Sequence, residues 1–405
     1  MTNWQEVRLG DVCDVKGGKR LPKGVNLVTI KNTHPYIRVR DLGQGKRLQL
    51  NQNYEYVDDE TQKIISHYIV SEDDVLISIV GTIGLIGIVG NSLNNANLTE
   101  NCVKLINLRG IDKDFLYYFL ISNSGQDAIK QGTVGAVQAK LPIKNIQTIQ
   151  ILLPPLDVQK KIAGVLGALD DKIELNNKIN DNLEQQAQAL FKSWFVDFEP
   201  FGGTMPKDWK ESDIYSISNI IYGAPFASKL FNTEKKGLPI IRIRDLKNQH
   251  SDTYTEEIHP KAYIIKAGDI VVGMDGEFRP YIWGNDEGLL NQRVCVFENK
   301  RSLGKMFLYL TIKPLLNRVE QTEVATTVIH IGKQDFDAFR FSMPSNSILD
   351  KFDAVTQPIY NKIVSNSLEN TRLASLRDAL LPKLMSGKID VSKVDICNCT
   401  FFIIN

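Results

Sequence analysis

Apolar residues recur in steps of three and four along one long, nearly central segment. It runs from Pro154 to Phe198 and contains no proline after Pro155. Its apolar positions form a narrow seam of the coiled-coil type rather than the broad face of a globular helix. They are Ile162, Leu166, Leu169, Ile173, Leu183, Ala187, Leu190 and Trp194. The pattern predicts a long helix that packs along this seam against another helix.

Asparagines interrupt the seam at Asn176 and Asn180. A seam asparagine weakens apolar packing but disfavours every register in which its amide stays unpaired. We therefore predict that the two residues fix the alignment of this helix with its partner.

A second copy of the pattern follows about 190 residues later. The equivalent positions are Phe352, Ile363, Asn366, Asn370, Leu373 and Leu380. The copy is imperfect because Thr356 replaces Leu166 and Arg377 replaces Ala187, and Pro382 is expected to leave the second helix shorter or frayed. An intramolecular pair with Asn176, Asn180, Asn366 and Asn370 as register pins is favoured, and dimerisation through the same seam stays open.

The duplication extends beyond the helices. Three motifs return in order: Trp4-Gln5-Glu6 as Trp209-Lys210-Glu211, the YIRVRDL of 36–42 as the IIRIRDL of 240–246, and the DVLI of 74–77 as the DIVV of 269–272. Alternating and apolar runs predict strands, and 113–121 and 304–312 predict short helices. The fold class is α+β: two similar domains joined by two long antiparallel helices, an internal tandem repeat with pseudo-twofold symmetry.

The predicted boundaries follow from this repeat. The first domain covers 1–153, the central helix 154–198, a proline- and glycine-containing linker 199–206, the second domain 207–343, the second helix 344–393, and a tail of unknown role 394–405.

Composition narrows the class without naming a function. The 405 residues carry 48 Lys and Arg against 47 Asp and Glu, so contact with a polyanion must come from local patches. The five cysteines are scattered and form no CxxC pair, which favours a reducing compartment and argues against structural zinc. No signal core or membrane span is evident, and the predicted location is the cytoplasm.

Motifs of catalysis are missing from the sequence. The GTIG of 81–84 is too short for a dinucleotide fingerprint, no GxxxxGK[ST] phosphate loop occurs, and the five histidines show no HExxH or i,i+4 pairing. We expect no catalytic residue, no metal site and no cofactor in this chain.

Basic side chains and glycine loops supply the candidate chemistry. Alternation in IRVRDL predicts a strand with Arg38 and Arg40 on one face, suited to bidentate contact with phosphate or guanine. The alternative, a solvated strand face on which Arg40 pairs with neighbours of Asp41, stays open. The loops at 81–84 and 273–279 allow close backbone approach, either to DNA or to a neighbouring strand, and Arg279, Tyr281 and Trp283 are predicted to be exposed. The candidate DNA-binding residues are Lys19, Arg20, Arg38, Arg40, Lys46, Arg47, Thr82, Lys235, Lys236, Arg242, Arg244, Lys247, Arg279 and Tyr281.

The chain resembles the specificity subunit of type I restriction-modification systems. The resemblance covers essentially 1–393 and is carried by WQEVRLGDV, YIRVRDL, the segment from LLPPLDVQKK to FKSWF, IIRIRDL, GDIVVGMDGEF and LLPKLMSGKI. It implies two target-recognition domains, each reading one half of a split, asymmetric DNA site. It also implies assembly with two modification subunits, which use S-adenosylmethionine to methylate adenine, and with restriction subunits that use ATP and Mg²⁺.

Physical reasoning adds two expectations to the resemblance. A helix pair of about 35 residues spans on the order of 50 Å and could act as a ruler between half-sites roughly 34–36 Å apart. Exposed Val165, Phe191, Phe195 and Phe198 would contact partner subunits. They would also distinguish a subunit from the alternative, a stand-alone repressor-like DNA-binding protein.

An enzyme acting alone, a nuclease or methyltransferase, is disfavoured by the missing motifs. Replacing Arg38 or Arg242 with alanine is expected to cost about 1–3 kcal/mol of specific binding at one half-site.

Overall fold

A computed structural model of the chain describes residues 4–43, 45–135, 137–322, 330–392 and 394. These residues form two compact units. Unit 1 combines residues 1–172 with 374–405, and unit 2 comprises residues 173–373.

Unit 1 contains short strands and helices followed by the start of a long helix. Its strands are β1 (Gln5–Arg8), β2 (Asp14–Gly17), β3 (Pro35–Ile37), β4 (Arg47–Leu48), β5 (Glu55–Tyr56), β6 (Val75–Ser78), β7 (Ile86–Val89), β8 (Asn97–Leu98), β9 (Cys102–Ile106) and β10 (Gln150–Leu153). Its helices are α1 (Leu9–Val12), α2 (Asp59–Ile65), α3 (Lys113–Ile121), α4 (Asn123–Gly132) and α5 (Ile143–Gln147), and α6 (Leu156–Phe195) begins in it.

Unit 2 repeats this order. Its strands are β11 (Lys210–Asp213), β12 (Ser218–Tyr222), β13 (Leu238–Ile241), β14 (Tyr254–Thr255), β15 (Ile264–Ile265), β16 (Ile270–Gly273), β17 (Pro280–Ile282), β18 (Gly288–Leu290), β19 (Val294–Asn299) and β20 (Arg340–Met343). Its helices are α7 (Ile243–Leu246), α8 (Lys305–Thr322) and α9 (Lys333–Asp337), and α10 (Asn346–Met385) begins in it.

Strand order shows that the two units share most of one topology, although β4 adds a strand beside β7 in unit 1 and β15 adds one beside β18 in unit 2. The antiparallel pair β1-β10 corresponds to β11-β20, and the order β2-β9-β6-β7 corresponds to β12-β19-β16-β17. A smaller sheet contains a parallel pair in each unit, β3 with β8 and β13 with β18. The predicted α+β class and tandem repeat are confirmed.

The strands and short helices predicted from periodicity are largely present. The apolar runs VLISIV and DIVVGM contain β6 and β16, which are buried along their whole length. The helix predicted at 113–121 has those bounds, whereas the one predicted at 304–312 extends to Thr322 through Pro314. A buried run from Met306 to Ile312 anchors α8 in the core of unit 2.

The two long helices each contain 40 residues. The expectation that Pro382 shortens the second helix is wrong, because α10 continues to Met385. Pro382 cannot donate a helical hydrogen bond, which costs about 3 kcal/mol in a helix interior. Leu381, Leu384 and Met385 are buried in the core of unit 1, and burying side chains of this size contributes about 1.5–3 kcal/mol each. Core packing therefore outweighs the lost bond.

Within unit 2, α6 and α10 are joined by the asparagines of the seam. Asn176 donates to Glu369 Oε2 at 2.8 Å and to Asn370 Oδ1 at 2.9 Å. Asn366 donates to Asn180 Oδ1 at 2.9 Å. Residue numbers rise along one helix as they fall along the other, so the two segments run antiparallel. The amides are paired as a register pin requires, and their effect on register stays a prediction.

The IRVRDL motif is not a continuous strand in either unit. Strand β3 ends at Ile37 and a 3-10 turn covers Val39–Asp41, while β13 ends at Ile241 and α7 follows. The carboxylate of Asp41 accepts from the Arg38 backbone N–H at 2.7 Å, and Asp245 accepts from the Arg242 N–H at 3.0 Å. An aspartate three residues after the first arginine of the motif thus caps a helical turn, which is why alternation misled the strand prediction.

Two further predictions concern the ends of elements. The linker predicted at 199–206 contains a 3-10 turn at Glu199–Phe201, and Phe198 and Gly202 flank it in left-handed conformations. Of the tail predicted from 394, residues 395–405 lie outside the described residues. In the described part of the chain, no helix is long and apolar enough to cross a membrane.

Candidate nucleic-acid interface

A glycine loop follows the buried strand β6 in unit 1. The Ser78 hydroxyl donates to the Thr82 carbonyl at 2.6 Å and accepts from the Leu85 N–H at 2.8 Å, which fixes the loop. Gly84 has φ +87°, and a Cβ there would meet the Gln126 side chain at 2.9 Å. Gly81 also has positive φ but faces open space. Packing explains Gly84, whereas Gly81 and the exposed Thr82 are open to a ligand.

The equivalent loop of unit 2 follows β16 and carries different side chains. Gly276 has φ +80° and faces open space, and the Arg279 guanidinium lies 3.5 Å from Glu277 with most of its surface exposed. Tyr281 is half-buried, and burial raises the pKa of its hydroxyl. The predicted exposure of Trp283 is wrong, because its ring is 1% exposed and its indole N–H donates to the Asp286 carbonyl at 2.9 Å.

In unit 1, the arginines of the IRVRDL motif share one acidic partner. Arg38 and Arg40 both contact Glu55, and the Arg40 distance is 2.8 Å. Arg40 also lies 3.7 Å from Asp41. Arg38 is mostly buried and Arg40 is about half exposed. Their role in DNA binding stays a prediction, and any such contact must compete with Glu55.

The next two basic residues of unit 1 differ in availability. Lys46 is 13% exposed, pairs with Asp114 at 2.8 Å, and lies 5.0 Å from the Tyr118 ring centre. Arg47 is 36% exposed and pairs with Asp73 at 3.0 Å. The burial of Lys46 suits a structural ion pair, whereas Arg47 can reach solvent.

The first two candidates of unit 1 lie at the surface. Arg20 is largely exposed and pairs with Glu100 at 2.7 Å. Lys19 is exposed, and its ammonium lies 5.4 Å from the centre of the Tyr68 ring. Neither contact holds the cation away from solvent.

In unit 2 the two arginines of the IIRIRDL motif differ, because one is hydrogen-bonded within the protein and the other is exposed. Arg242 donates to Asp245 at 2.9 Å and to the Thr253 hydroxyl at 2.9 Å. Arg244 and Lys247 are exposed, and neither forms an ion pair with the described residues. Arg244 therefore presents its guanidinium more freely than Arg242.

Lys235 and Lys236 lie in an exposed turn that precedes β13. Lys235 adopts a left-handed conformation with φ 60°, and Lys236 pairs with Glu234 at 2.5 Å. Both side chains are at the surface.

The four residues assigned to partner contact are not openly exposed. Val165 packs on the core of unit 1, and Phe191 and Phe195 pack on the core of unit 2. The Phe195 ring lies 4.9 Å from that of Phe352, and the Phe198 ring lies 5.7 Å from that of Trp209. The end of α6 is thus covered by aromatic residues of its own unit. Contact between these residues and a partner subunit stays a prediction, but exposure of the side chains no longer supports it.

Two basic residues beside the glycine loops escaped the sequence analysis. Lys140 and His330 each form a β-bridge to the second residue after the buried strand, Val80 in unit 1 and Asp275 in unit 2. Both side chains are exposed. Because these contacts span more than 50 residues, local periodicity gives no sign of them.

Within the described ranges, no three His, Cys, Asp or Glu side chains lie close enough together to bind a metal ion. Burial raises the pKa of the Cys13 thiol to about 11 and of the Cys102 thiol to about 12, so neither is an activated nucleophile.

The fold and the paired loops define a duplicated α+β protein whose two units present basic, glycine-containing surfaces. The chain belongs to the family of type I restriction-modification DNA specificity domains, whose model matches residues 1–185 and again 206–371. Each match covers one set of strands and most of one long helix.

Individual relatives agree with the family match. The chain is 25% identical to the MjaIX type I restriction enzyme specificity subunit of Methanocaldococcus jannaschii, over 97% of this chain and 95% of that one. It is 25% identical to the HindI specificity subunit of Haemophilus influenzae, over 68% of this chain and 77% of that one. A solved S subunit of the type I system of M. genitalium has the same fold, with a TM-score of 0.55, 17% identity, and coverage of 95% and 96%.

Proposed function

We propose that this chain is the DNA sequence-recognition subunit of a type I restriction-modification complex. Each unit reads one half of a split DNA site. The observation that carries the proposal is the double family match, at 1–185 and 206–371, on two units that share most of one topology. The equivalent loops differ, Gly81-Thr82 in one and Gly276-Glu277 in the other, so the two half-sites differ in sequence.

Base reading needs donors that are not already satisfied within the protein. Arginine offers a planar pair of N–H groups that matches the O6 and N7 atoms of guanine, and lysine binds phosphate as a point charge. Arg244 in unit 2 is well placed for this role, because it is exposed and forms no ion pair with the described residues. Arg279 and Arg47 also reach solvent, but they would have to exchange Glu277 and Asp73 for the base. Lys19, Lys235 and Lys247 suit phosphate contact.

The long helices are proposed to hold the modification subunits. Four apolar side chains on them remain about half exposed, Leu156, Leu175, Val355 and Leu376. Exposed apolar residues on a helix that already has an internal partner favour a further protein contact. S-adenosylmethionine, ATP and Mg²⁺ would be used by the modification and restriction subunits, while this chain selects the site without catalysing a reaction.

Mapping of methylated adenines tests the proposal. The chain is co-expressed with a modification subunit of its own host in a strain that lacks adenine methylation. Methylation should fall at one split, asymmetric sequence, and should disappear when either partner is omitted. Methylation at a palindrome, or methylation by the purified chain with S-adenosylmethionine alone, would reject the assignment. Specific DNA binding without any modification subunit in the host would favour a repressor-like protein instead.

A further inference from the structure

Lys140 and His330 occupy the same backbone position in the two units. The Leu141 N–H donates to the Ile79 carbonyl at 3.0 Å, and the Ile331 N–H donates to the Met274 carbonyl at 2.9 Å. The preceding residue in each case, Lys140 or His330, bridges to the second residue after the buried strand, Val80 or Asp275. Each unit therefore places one basic side chain at the start of its glycine loop.

In unit 1 this residue is a lysine. The Lys140 N–H and carbonyl exchange 2.9 Å hydrogen bonds with those of Val134. The side chain is exposed and makes no ion pair with the described residues. Its ammonium is available to an anion.

In unit 2 the equivalent residue is a histidine whose ring contacts two charged side chains. The His330 Nδ1 lies 2.7 Å from Asp275 Oδ1 and 3.2 Å from the Arg293 guanidinium, and Arg293 lies 3.6 Å from Asp275. A carboxylate only accepts hydrogen bonds and a guanidinium only donates them, so the Asp275 contact calls for a hydrogen on Nδ1 and the Arg293 contact for a lone pair there. In the protonated ring both nitrogens carry hydrogens, so Nδ1 can donate to Asp275 and Nε2 can donate to a further acceptor. The side chain is 46% exposed.

The charged groups around His330 balance one another, so protonation of its imidazole would change the local net charge. Asp275 is balanced by Arg293, and the next charges of the loop, Glu277 and Arg279, face each other at 3.5 Å. Protonation of the imidazole would therefore add one positive charge to a locally balanced group. Histidine is the side chain whose charge ordinarily changes between about pH 5 and 8.

We propose that Lys140 and His330 are equivalent contacts to DNA phosphate, one in each unit, and that only the unit 2 contact depends on pH. This inference rests on the proposed function. It assigns a binding role to two residues outside the basic motifs, and it makes recognition of the second half-site stronger at acidic pH, while recognition of the first is unchanged.

The salt dependence of binding tests the proposal. Each phosphate contact contributes about 0.9 to the slope of log K against log salt concentration. The full chain, with its modification subunit, is titrated against a duplex carrying the methylated site at about pH 6 and about pH 8. Lys140→Ala should lower the slope by about 0.9 at both pH values. His330→Ala should lower it by about 0.9 at pH 6 and leave it unchanged at pH 8. Such a change in slope corresponds to about a threefold change in relative affinity between 50 and 200 mM salt.

A matched variant separates charge from structure. His330→Asn keeps a side-chain N–H for Asp275 but cannot become charged, so it should reproduce the slope of His330→Ala at pH 6 and bind as the wild type does at pH 8. An equal loss at both pH values for His330→Ala, or an unchanged slope at pH 6, would overturn the proposal. Wild-type protein that does not distinguish the duplex from a scrambled one at pH 8 would instead reject the proposed function.

Discussion

The Arg377 guanidinium in α10 donates a 2.8 Å hydrogen bond to Asp170 in α6, within unit 1. The Tyr118 hydroxyl donates to the other oxygen of the same carboxylate at 2.6 Å. The equivalent positions in the other copy of the repeat are Ala187 and Tyr360, which are buried in the core of unit 2. One register position is thus filled by an ion pair in one unit and by apolar packing in the other.

Replacing Arg377 with alanine should destabilise unit 1 selectively. The substitution leaves Asp170, whose side chain is 16% exposed, without its cation. Breaking a fully buried pair costs about 3–5 kcal/mol, and partial exposure here reduces the expected loss to about 2–3 kcal/mol. Hydrogen exchange of backbone amides, resolved by mass spectrometry on the full chain, measures the loss in each unit separately.

An exposed ion pair on α6 supplies the control for Arg377. Lys178 and Glu174 are 70% and 53% exposed, so Lys178→Ala should cost less than about 0.5 kcal/mol. The double variant Asp170→Ala/Arg377→Ala should lose less than the sum of the two single losses. Strict additivity would show that the two side chains do not stabilise unit 1 through each other.

Periodicity was sufficient to predict the large elements. Helices α6 and α10 were predictable because their apolar seams repeat over some ten turns, and because two asparagines recur at the same spacing in each. The repeated motifs then predicted the shared topology of the units. Core packing decided what periodicity could not, namely that α10 continues past Pro382.

The site was less predictable because its geometry depends on side-chain partners. Alternation placed Arg38 in a strand, whereas the Asp41 carboxylate starts a helical turn there. Charge counting grouped Lys46 with Arg47, although Asp114 holds Lys46 in a largely buried pair. The surroundings of His330 are formed by residues 37 and 55 positions away in the sequence, so local periodicity could not predict them.

Replacing Asn366 with alanine should cost about 1–3 kcal/mol of unit 2 stability. Asn366 is 1% exposed and donates to Asn180 Oδ1, so the truncation leaves a polar atom in the helix seam without its partner. The double variant Asn180→Leu/Asn366→Leu should cost less than this, because it removes both polar groups and adds apolar contact.

The double leucine variant also tests the register role of the asparagines. An apolar seam tolerates other registers and other chains, so light scattering coupled to size exclusion should show mixed oligomers of this variant. A variant with the oligomeric state and the hydrogen-exchange pattern of the wild type would show that Asn180 and Asn366 do not pin the register.

Arg244 should matter for DNA recognition more than Arg242 does. Arg244 is exposed, whereas Arg242 is bonded to Asp245 and Thr253. We expect Arg244→Ala to weaken binding at one half-site by about 1–3 kcal/mol with little loss of stability. Arg242→Ala, the matched control, should lower the stability of unit 2.

Fluorescence anisotropy with duplexes altered in one half-site at a time distinguishes the two roles. Loss of discrimination confined to one half-site identifies base contact by Arg244. An equal loss on specific and scrambled DNA would identify phosphate contact, and no loss in either assay would contradict the prediction.

Insertion of one heptad into both long helices should lengthen the spacer of the recognised site. Seven residues add about 10.5 Å to a helix and keep the apolar seam almost in phase, a drift of only about 20°. At about 3.4 Å per base pair, the spacer should grow by about three base pairs while the half-site sequences stay the same. Mapping of methylated adenines measures both quantities in one experiment.

Insertion into α6 alone is the control, because it displaces Asn176 from Asn370 and should abolish methylation. An unchanged spacer in the doubly extended protein would show that the helices do not set the distance between half-sites.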